Sequence, residues 1–227
     1  MLAEGLVQAL RLLASGDREV WAAVWVSVRV ALASTLASTV LGLPLGYAVA
    51  AGRFRGRDTT GVILNVLMGI PTVVVGLLVY GFLSRRGLLG GMRLLYTPTA
   101  MVVGQTVMAL PIVAALSRAA VAGLDPRAAR TALSLGAGRI RTAVTVAREL
   151  GPALAAAVAA AFGRVFGEVG VSLMLGGNIL FYTRNITTSI ALETSKGEFA
   201  YGMALGIVLL AASFAINLFV HLLKGKA

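Results

Sequence analysis

The sequence of 227 residues contains no cysteine and only one histidine, and charged residues make up 13% of it. Without cysteine, the chain has neither a disulfide framework nor a thiolate metal site. Catalysis would need a nucleophile, an acid–base pair or a metal cage. The apolar segments hold essentially one carboxylate, Glu168, and His221 lies at the end of the last segment. We therefore expect no catalytic residues, no metal site and no directly bound cofactor.

Long apolar segments dominate what is present, since 58% of the residues are hydrophobic, compared with ~45–50% in a soluble domain. Each segment reaches about the 20 residues needed to cross a hydrocarbon core. In lipid such segments must be helices or a closed barrel, and the alternating pattern of barrel strands is absent. The sequence predicts an all-α integral membrane protein, one domain over residues 1–227 with a bundle of about five transmembrane helices. The predicted spans lie near residues 21–51, 62–83, 97–117, 152–175 and 200–223.

Basic residues exceed acidic ones by 20 to 9, which gives a net charge of +11. In a soluble protein this excess would suggest a nucleic-acid partner. In a membrane protein it is explained by the gathering of Lys and Arg in cytoplasmic loops. We therefore expect no nucleic acid, an external N-terminus and a cytoplasmic C-terminus. Residues 1–16 lack the basic start and cleavage site of a secretory signal and predict a short interfacial helix.

Several small or rigid residues in the spans predict how the helices pack. Prolines at positions 44, 71 and 111 favour kinks, because proline removes one backbone hydrogen bond. Glycines four apart at 42/46, 163/167 and 202/206 predict close helix–helix approach.

The longest predicted cytoplasmic segment, residues 119–149, has the pattern of two short helices. Asp125 is a candidate N-cap and Pro126 suits the first helical position, and the helix then runs to the breaker Gly136. A second, basic amphipathic helix follows from Gly138, with Ile140 on its apolar face. Such a segment suits either docking to a cytosolic partner or lying on anionic lipid, and the residue pattern leaves both open.

Residues 131–137, Thr-Ala-Leu-Ser-Leu-Gly-Ala, resemble the glycine-centred cytoplasmic motif of ABC importer permeases. Two positions depart from it, with Arg130 where the family usually has Glu and Thr131 where it usually has Ala. The resemblance implies that the loop is a coupling helix seated in a cleft of an ATPase subunit. The residues implied in coupling are Asp125, Pro126, Arg127, Arg130, Ala132, Leu133, Leu135, Gly136, Ala137, Arg139 and Ile140.

Other blocks, at residues 67–80, 97–112, 162–179 and 183–197, resemble the tungstate permeases of this family. Molybdate permeases share a similar Gly-Glu and Gly-Asn pattern, so molybdate or sulfate is the alternative cargo. The resemblance implies a type I importer fold, a homodimer in the cell inner membrane, ABC ATPase partners and an extracytoplasmic oxyanion-binding protein. The chain has no phosphate-cradling glycine–lysine loop, so ATP hydrolysis is expected on a separate subunit. A secondary transporter would show internal repeats or several embedded ionisable groups, and a purely structural membrane subunit is a further alternative.

Arg164 and Glu168 are four residues apart in a predicted span, so they share a helix face and are expected to pair. A functional role is also possible, because Arg164 has donors for charge-assisted bonds to a dianion. Polar residues near the irregular Gly-Gly-Asn segment add Gly177, Asn178 and Thr188 to the candidate path.

Four arginines lie in predicted external segments, against the positive-inside tendency. They are expected to form a basic mouth that attracts an oxyanion or contacts acidic residues of a binding protein. The alternative is that these arginines are solvated loop charges with no functional role. The four are Arg85, Arg86, Arg93 and Arg184.

Overall fold

The computed structural model describes residues 2–52, 54–124, 134, 136 and 138–224, and these form helices and no strands. The predicted all-α class is thereby confirmed. In chain order the elements are α1 (Leu2–Ala14), α2 (Arg18–Ala51), α3 (Arg57–Met68), α4 (Thr72–Leu83), a 3₁₀ turn (Gly90–Met92), α5 (Pro98–Ala122), α6 (Arg139–Glu149), α7 (Gly151–Phe166), α8 (Gly170–Gly176), α9 (Ile186–Lys196) and α10 (Phe199–Lys224).

Three of these helices are long and apolar enough to cross a membrane alone, namely α2, α5 and residues Phe199–Ile216 of α10. Two bent pairs, α3 with α4 and α6 with α7, raise the number of spans to as many as five in the described chain. The expected bundle of about five spans fits this arrangement.

Two predicted spans are not single helices. The segment at 62–83 is divided between α3 and α4, which meet at a 99° bend, and the segment at 152–175 is divided between α7 and α8. Hydropathy predicts the length of an apolar segment, whereas the continuity of its helix depends on single residues such as Pro71 and Gly167. The segment at 186–196, expected as external loop, is the helix α9.

Side chains at helix starts explain where the elements begin. The Asp17 carboxylate accepts hydrogen bonds from the backbone N–H groups of Glu19 and Val20, both at 3.0 Å, which caps α2. Thr97 caps α5 by accepting from the Ala100 N–H, and Pro98 occupies the first turn, where no N–H is needed.

The helix α5 lies at the centre, in contact with α2, α3, α4, α7 and α8. α2 packs against it largely through small and polar side chains, together with buried valines such as Val30, and many of its other large apolar side chains point outward. Lipid offers no hydrophobic drive between helices, so close packing of small residues has to supply the contact. The buried face includes Ser34, Ser38, Gly42 and Gly46, and the outward face includes Trp25, Leu36 and Val40.

Only one of the three glycine pairs makes the predicted close approach within the described chain. A Cβ atom on Gly42 would lie 2.8 Å from Val113 Cβ, and one on Gly46 would overlap the Ser117 hydroxyl and the Ala114 carbonyl. By contrast, a Cβ atom on Gly206 would meet nothing within 4 Å. The spacing is the same, but only the first pair faces a helix backbone.

A buried amide ties three helices together. Gln105 on α5 accepts from the Ser34 hydroxyl of α2 at 3.1 Å and donates to the Ser172 hydroxyl of α8 at 3.0 Å. All three side chains are at most 2% exposed, so each hydrogen bond holds two elements in register.

We predict that Gly46→Ala destabilises the fold, because overpacking a tight helix contact costs about 1–3 kcal/mol. Thermal unfolding of the detergent-purified protein should show a melting temperature several degrees below wild type. The control is Gly206→Ala, which adds the same methyl group to open space and should leave the melting temperature unchanged or slightly raised. Equal behaviour of the two variants would contradict the close α2–α5 contact.

Candidate functional site: two broken spans and an outer basic cavity

The two interrupted spans break at the same place in the fold. Residues 69–71 separate α3 from α4, and their proline has no N–H to continue a helix. Gly167 follows the end of α7, and Gly170 begins α8. A Cβ atom on Gly170 would lie 3.3 Å from Thr72 Oγ1 and 3.2 Å from Val73 Cγ2. The first turns of α4 and α8 are therefore neighbours.

An ion pair lies at this junction. Arg164 Nη1 donates to Glu168 Oε2 at 2.9 Å, so the predicted pairing is confirmed. The two side chains differ in environment, since that of Glu168 is 3% exposed and that of Arg164 is 44% exposed. In this pair the positive side chain is therefore partly exposed and the negative side chain is buried.

Glu168 is held at three points. Its second carboxylate oxygen accepts from the backbone N–H of Val171 at 3.2 Å, which satisfies a free donor in the first turn of α8. Its backbone carbonyl accepts from the Thr187 hydroxyl at 2.7 Å. Sequence reasoning missed this capping role, although a carboxylate three residues before a helical N–H is its usual signal.

The guanidinium of Arg164 borders a cavity of about 390 Å³. The other lining residues come from α3, α4, α5 and the break between α3 and α4, and none of those in the described chain is charged. They include Leu67, Ile70, Val79, Met108 and Pro111. Arg164 is therefore the polar feature of an otherwise apolar cavity.

The other three predicted path residues do not line this cavity. Gly177 has φ +68° and lies against the Tyr96 ring. Asn178 also has a positive φ, of 54°, and its buried Oδ1 has no hydrogen-bond partner among the described residues. Thr188 is 1% exposed, and its hydroxyl accepts from the Asn185 N–H at 3.1 Å in the capping box of α9.

A second and larger cavity, of about 890 Å³, lies at the C-terminal end of α4. Arg85, Arg93 and Ser84 line it together with Tyr80 and Tyr96. The two phenol oxygens lie 3.4 Å apart, and this hydrogen bond raises the pKa of Tyr96 above its usual value. The Tyr96 hydroxyl therefore stays protonated at neutral pH, so the cavity carries cationic and neutral donors.

The predicted mouth of four arginines is divided in the structure. Arg85 and Arg93 share the outer cavity, whereas Arg86 is exposed and does not line it. Arg184 lies elsewhere, where its charge and that of Glu193 both act on the Tyr201 hydroxyl. The structure thus places two of the four predicted arginines at one cavity.

Most of the predicted coupling residues lie outside the described residues. These are Asp125, Pro126, Arg127, Arg130, Ala132, Leu133, Leu135 and Ala137. Gly136 is exposed and has φ +81°, a conformation that L side chains rarely adopt. Arg139 begins α6, and Ile140 on this helix is 82% exposed. Ile140 and Val144 line an apolar cavity of about 360 Å³ with residues of α2, α5 and α7.

Comparison with known proteins gives matches over nearly the whole chain. The family described as "Binding-protein-dependent transport system inner membrane component" matches residues 42–226. The tungstate uptake system permease protein TupB of Peptoclostridium acidaminophilum is 39% identical over 223 residues, 98% of each chain. TupB of Campylobacter jejuni is 38% identical over 221 residues, 97% of this chain and 92% of that one. The molybdenum transport system permease protein ModB of Escherichia coli is 29% identical over 155 residues, 64% of this chain and 68% of ModB.

Among solved structures, a bacterial ABC transporter involved in the import of the acidic polysaccharide alginate matches with a TM-score of 0.76. The identity is 18%, and the match covers 96% of this chain and 82% of that chain. At this identity the likeness establishes a shared fold.

We predict that Tyr80→Phe lowers the pKa of Tyr96, because the hydrogen bond from Tyr80 is the main cause of its rise. The raised pKa shows that the fold favours the neutral phenol. The contribution of Tyr96 to folding stability should therefore be complete below the pKa that it has in the unfolded chain, and lost as pH rises through its pKa in the folded protein. ¹³C-tyrosine NMR of the two proteins follows the titration directly. An unchanged Tyr96 titration in the variant would show that the two hydroxyls do not interact.

Proposed function

Because the chain belongs to the family of inner membrane components of binding-protein-dependent transport systems, we propose that it is the permease subunit of an ATP-driven importer for tungstate. The family predicted from the sequence motifs is confirmed. The observation that carries the choice of cargo is full-length similarity to two tungstate permeases at 38–39% identity, against 29% over a shorter stretch for a molybdenum permease.

The chemistry of the two cavities supports an oxyanion as cargo. Guanidinium groups present planar N–H donors that match the oxygens of a dianion. The outer cavity adds the hydroxyls of Tyr80, Ser84 and Tyr96 beside Arg85 and Arg93. In this proposal the outer cavity attracts the ion, with Arg86 and Arg184 adding to the local positive field.

The chain is a multi-pass membrane protein and a transport component. We propose that ATP is hydrolysed by separate ABC ATPase subunits and that an extracytoplasmic oxyanion-binding protein delivers the ion. Two copies of this chain form the membrane unit, with the N-terminus outside and the C-terminus in the cytoplasm. The distribution of basic residues supports this orientation.

The segment at 119–149 is proposed to transmit ATPase movement to the helices. The structural support lies in its second half, where α6 is basic and amphipathic, and where Ile140 and Val144 are exposed at an apolar cavity beside α2, α5 and α7. A partner bound to this surface would act directly on the bundle. The positive φ of Gly136 sets the turn that precedes α6.

We predict that deletion of the gene lowers cellular tungsten and leaves molybdenum unchanged when both oxyanions are supplied at equal trace concentration. Elemental mass spectrometry of washed cells measures both metals, and a complemented strain controls for secondary effects. A fall in molybdenum, alone or with tungsten, would make the cargo choice too narrow. No change in either metal would contradict an oxyanion importer.

We predict that Gly136→Asp abolishes tungstate uptake while the protein still inserts into the membrane, because the turn before α6 requires a positive φ. Uptake is measured in cells that express equal amounts of each variant. The matched control is Gly16→Asp, at a glycine with φ +70° and open space around it, and it should retain uptake. Wild-type uptake by Gly136→Asp would remove the coupling role of this turn.

A further inference from the structure

We infer that Arg164 is the residue that contacts the oxyanion within the membrane, and that Glu168 is a positioning residue that keeps this contact weak. The inference rests on the proposed function and adds a binding residue and a tuning residue to it.

The environment of Arg164 is unusual for an arginine in a membrane span. Arginine in such a position usually extends its head to the interface, but here the Glu168 carboxylate holds it at 2.9 Å. Its side chain is nevertheless 44% exposed, at a cavity otherwise lined by apolar groups. A guanidinium facing lipid tails would be costly, so the cavity is expected to hold water or an anion.

The position of the cavity supports the same conclusion. Interrupted backbone at membrane depth is tolerated only where it is buried in protein or lines a water-filled space. The break between α3 and α4 supplies Ile70 to the lining, and the break between α7 and α8 follows Arg164 within three residues. One interruption thus borders the cavity and the other lies close to Arg164, an arrangement that favours water beside this guanidinium.

Arg164 retains donors that the protein does not use. A guanidinium has five N–H donors in a planar fork, and Arg164 makes one hydrogen bond within the described residues, from Nη1 to Glu168. The remaining donors suit the oxygens of a tetrahedral dianion. The cavity of about 390 Å³ is large compared with the ~30 Å³ share of one water, so the ion can keep part of its hydration shell.

Glu168 limits how tightly the anion is held. Its carboxylate is fixed by Arg164 and by the Val171 N–H, so it cannot move away when the anion arrives. The pair is neutral overall, and the carboxylate repels the dianion that the guanidinium attracts. An importer needs this balance, because a tight site along the path would trap its cargo.

The test uses the transporter complex of this chain with its ATPase subunits in lipid nanodiscs, and measures equilibrium binding of radiolabelled tungstate without the binding protein. Glu168→Gln should bind tungstate at least about tenfold more tightly than wild type, since removing a unit charge a few Å from a dianion changes the Coulomb energy by more than the ~1.4 kcal/mol that a factor of ten represents. The same variant should import more slowly in proteoliposomes supplied with ATP and the binding protein. A merely structural role for Glu168 would not raise the affinity.

Arg164→Gln alone would leave a buried carboxylate unpaired, so the informative variant is the double change Arg164→Gln/Glu168→Gln. It keeps a neutral hydrogen-bonded pair and should lose both tungstate binding and uptake. The control is Arg29→Gln, which removes an exposed arginine from the spanning helix α2 and should match wild type.

Wild-type binding and uptake by the double variant would overturn the role of Arg164 and leave the proposed function standing. Unchanged affinity in Glu168→Gln would overturn the role of Glu168. If the wild-type complex imports molybdate or sulfate and not tungstate, the proposed cargo is wrong, and the same variants test the role of Arg164 with the imported ion. If it imports none of the three, the proposed function fails and this inference fails with it.

Discussion

The structure depends on one constraint, which is that every backbone polar group inside the hydrocarbon layer must find a partner within the protein. At an interrupted span these groups bond to nearby backbone, as Gly69 and Ile70 do after α3, or to side chains. Glu168 closes the first turn of α8 through the Val171 N–H at 3.2 Å. The Thr183 hydroxyl donates to the Gly176 carbonyl and accepts from the Ile179 N–H at 2.9 Å. These side chains replace bonds that an unbroken helix would have made.

The same repairs arrange the charges of the bundle. Glu168 is buried because it closes a helix start, and Arg164 is held at the junction because Glu168 is there. The helix α4 connects the two cavities, since Val79 borders the cavity of Arg164 and Tyr80 borders the cavity of Arg85 and Arg93. A permeating anion would thus meet Arg85 and Arg93 at one end of α4 and Arg164 along its length. In this account, oxyanions are attracted by arginines at both cavities, and a structural hydrogen bond to Glu168 positions one of them, Arg164.

Much of this architecture was predictable from the sequence. The rest was not predictable, and the reasons can be identified. Apolar length placed α2, α5 and α10, and the spacing of four residues predicted the pair of Arg164 and Glu168. Whether a predicted span is one continuous helix was not predictable. Pro44 and Pro111 lie inside unbroken helices, whereas residues 69–71 form a bend of 99°. The outcome depends on whether neighbouring groups satisfy the interrupted backbone, which is a tertiary property.

Sites assembled from distant segments were the hardest to predict. Thr188 was expected to line the path of the cargo, but it is buried in the capping box of α9. Arg184 was expected beside Arg85 and Arg93, but it does not line their cavity. Equal glycine spacing at 42/46 and 202/206 gave a tight contact only at the first pair. Residue type and spacing suggest what a side chain is able to do, and the fold decides which partner it meets.

The most direct test of this account is to locate the cargo itself. Crystals of the transporter complex with millimolar tungstate, measured at a tungsten absorption edge, would place the metal by its anomalous scattering. The account predicts a tungsten peak in the cavity between α3, α4 and α5, close enough to Arg164 for an oxygen of the ion to accept a hydrogen bond from the guanidinium. Tungsten peaks confined to other surfaces, with a lipid chain or a packed side chain filling this cavity, would contradict it.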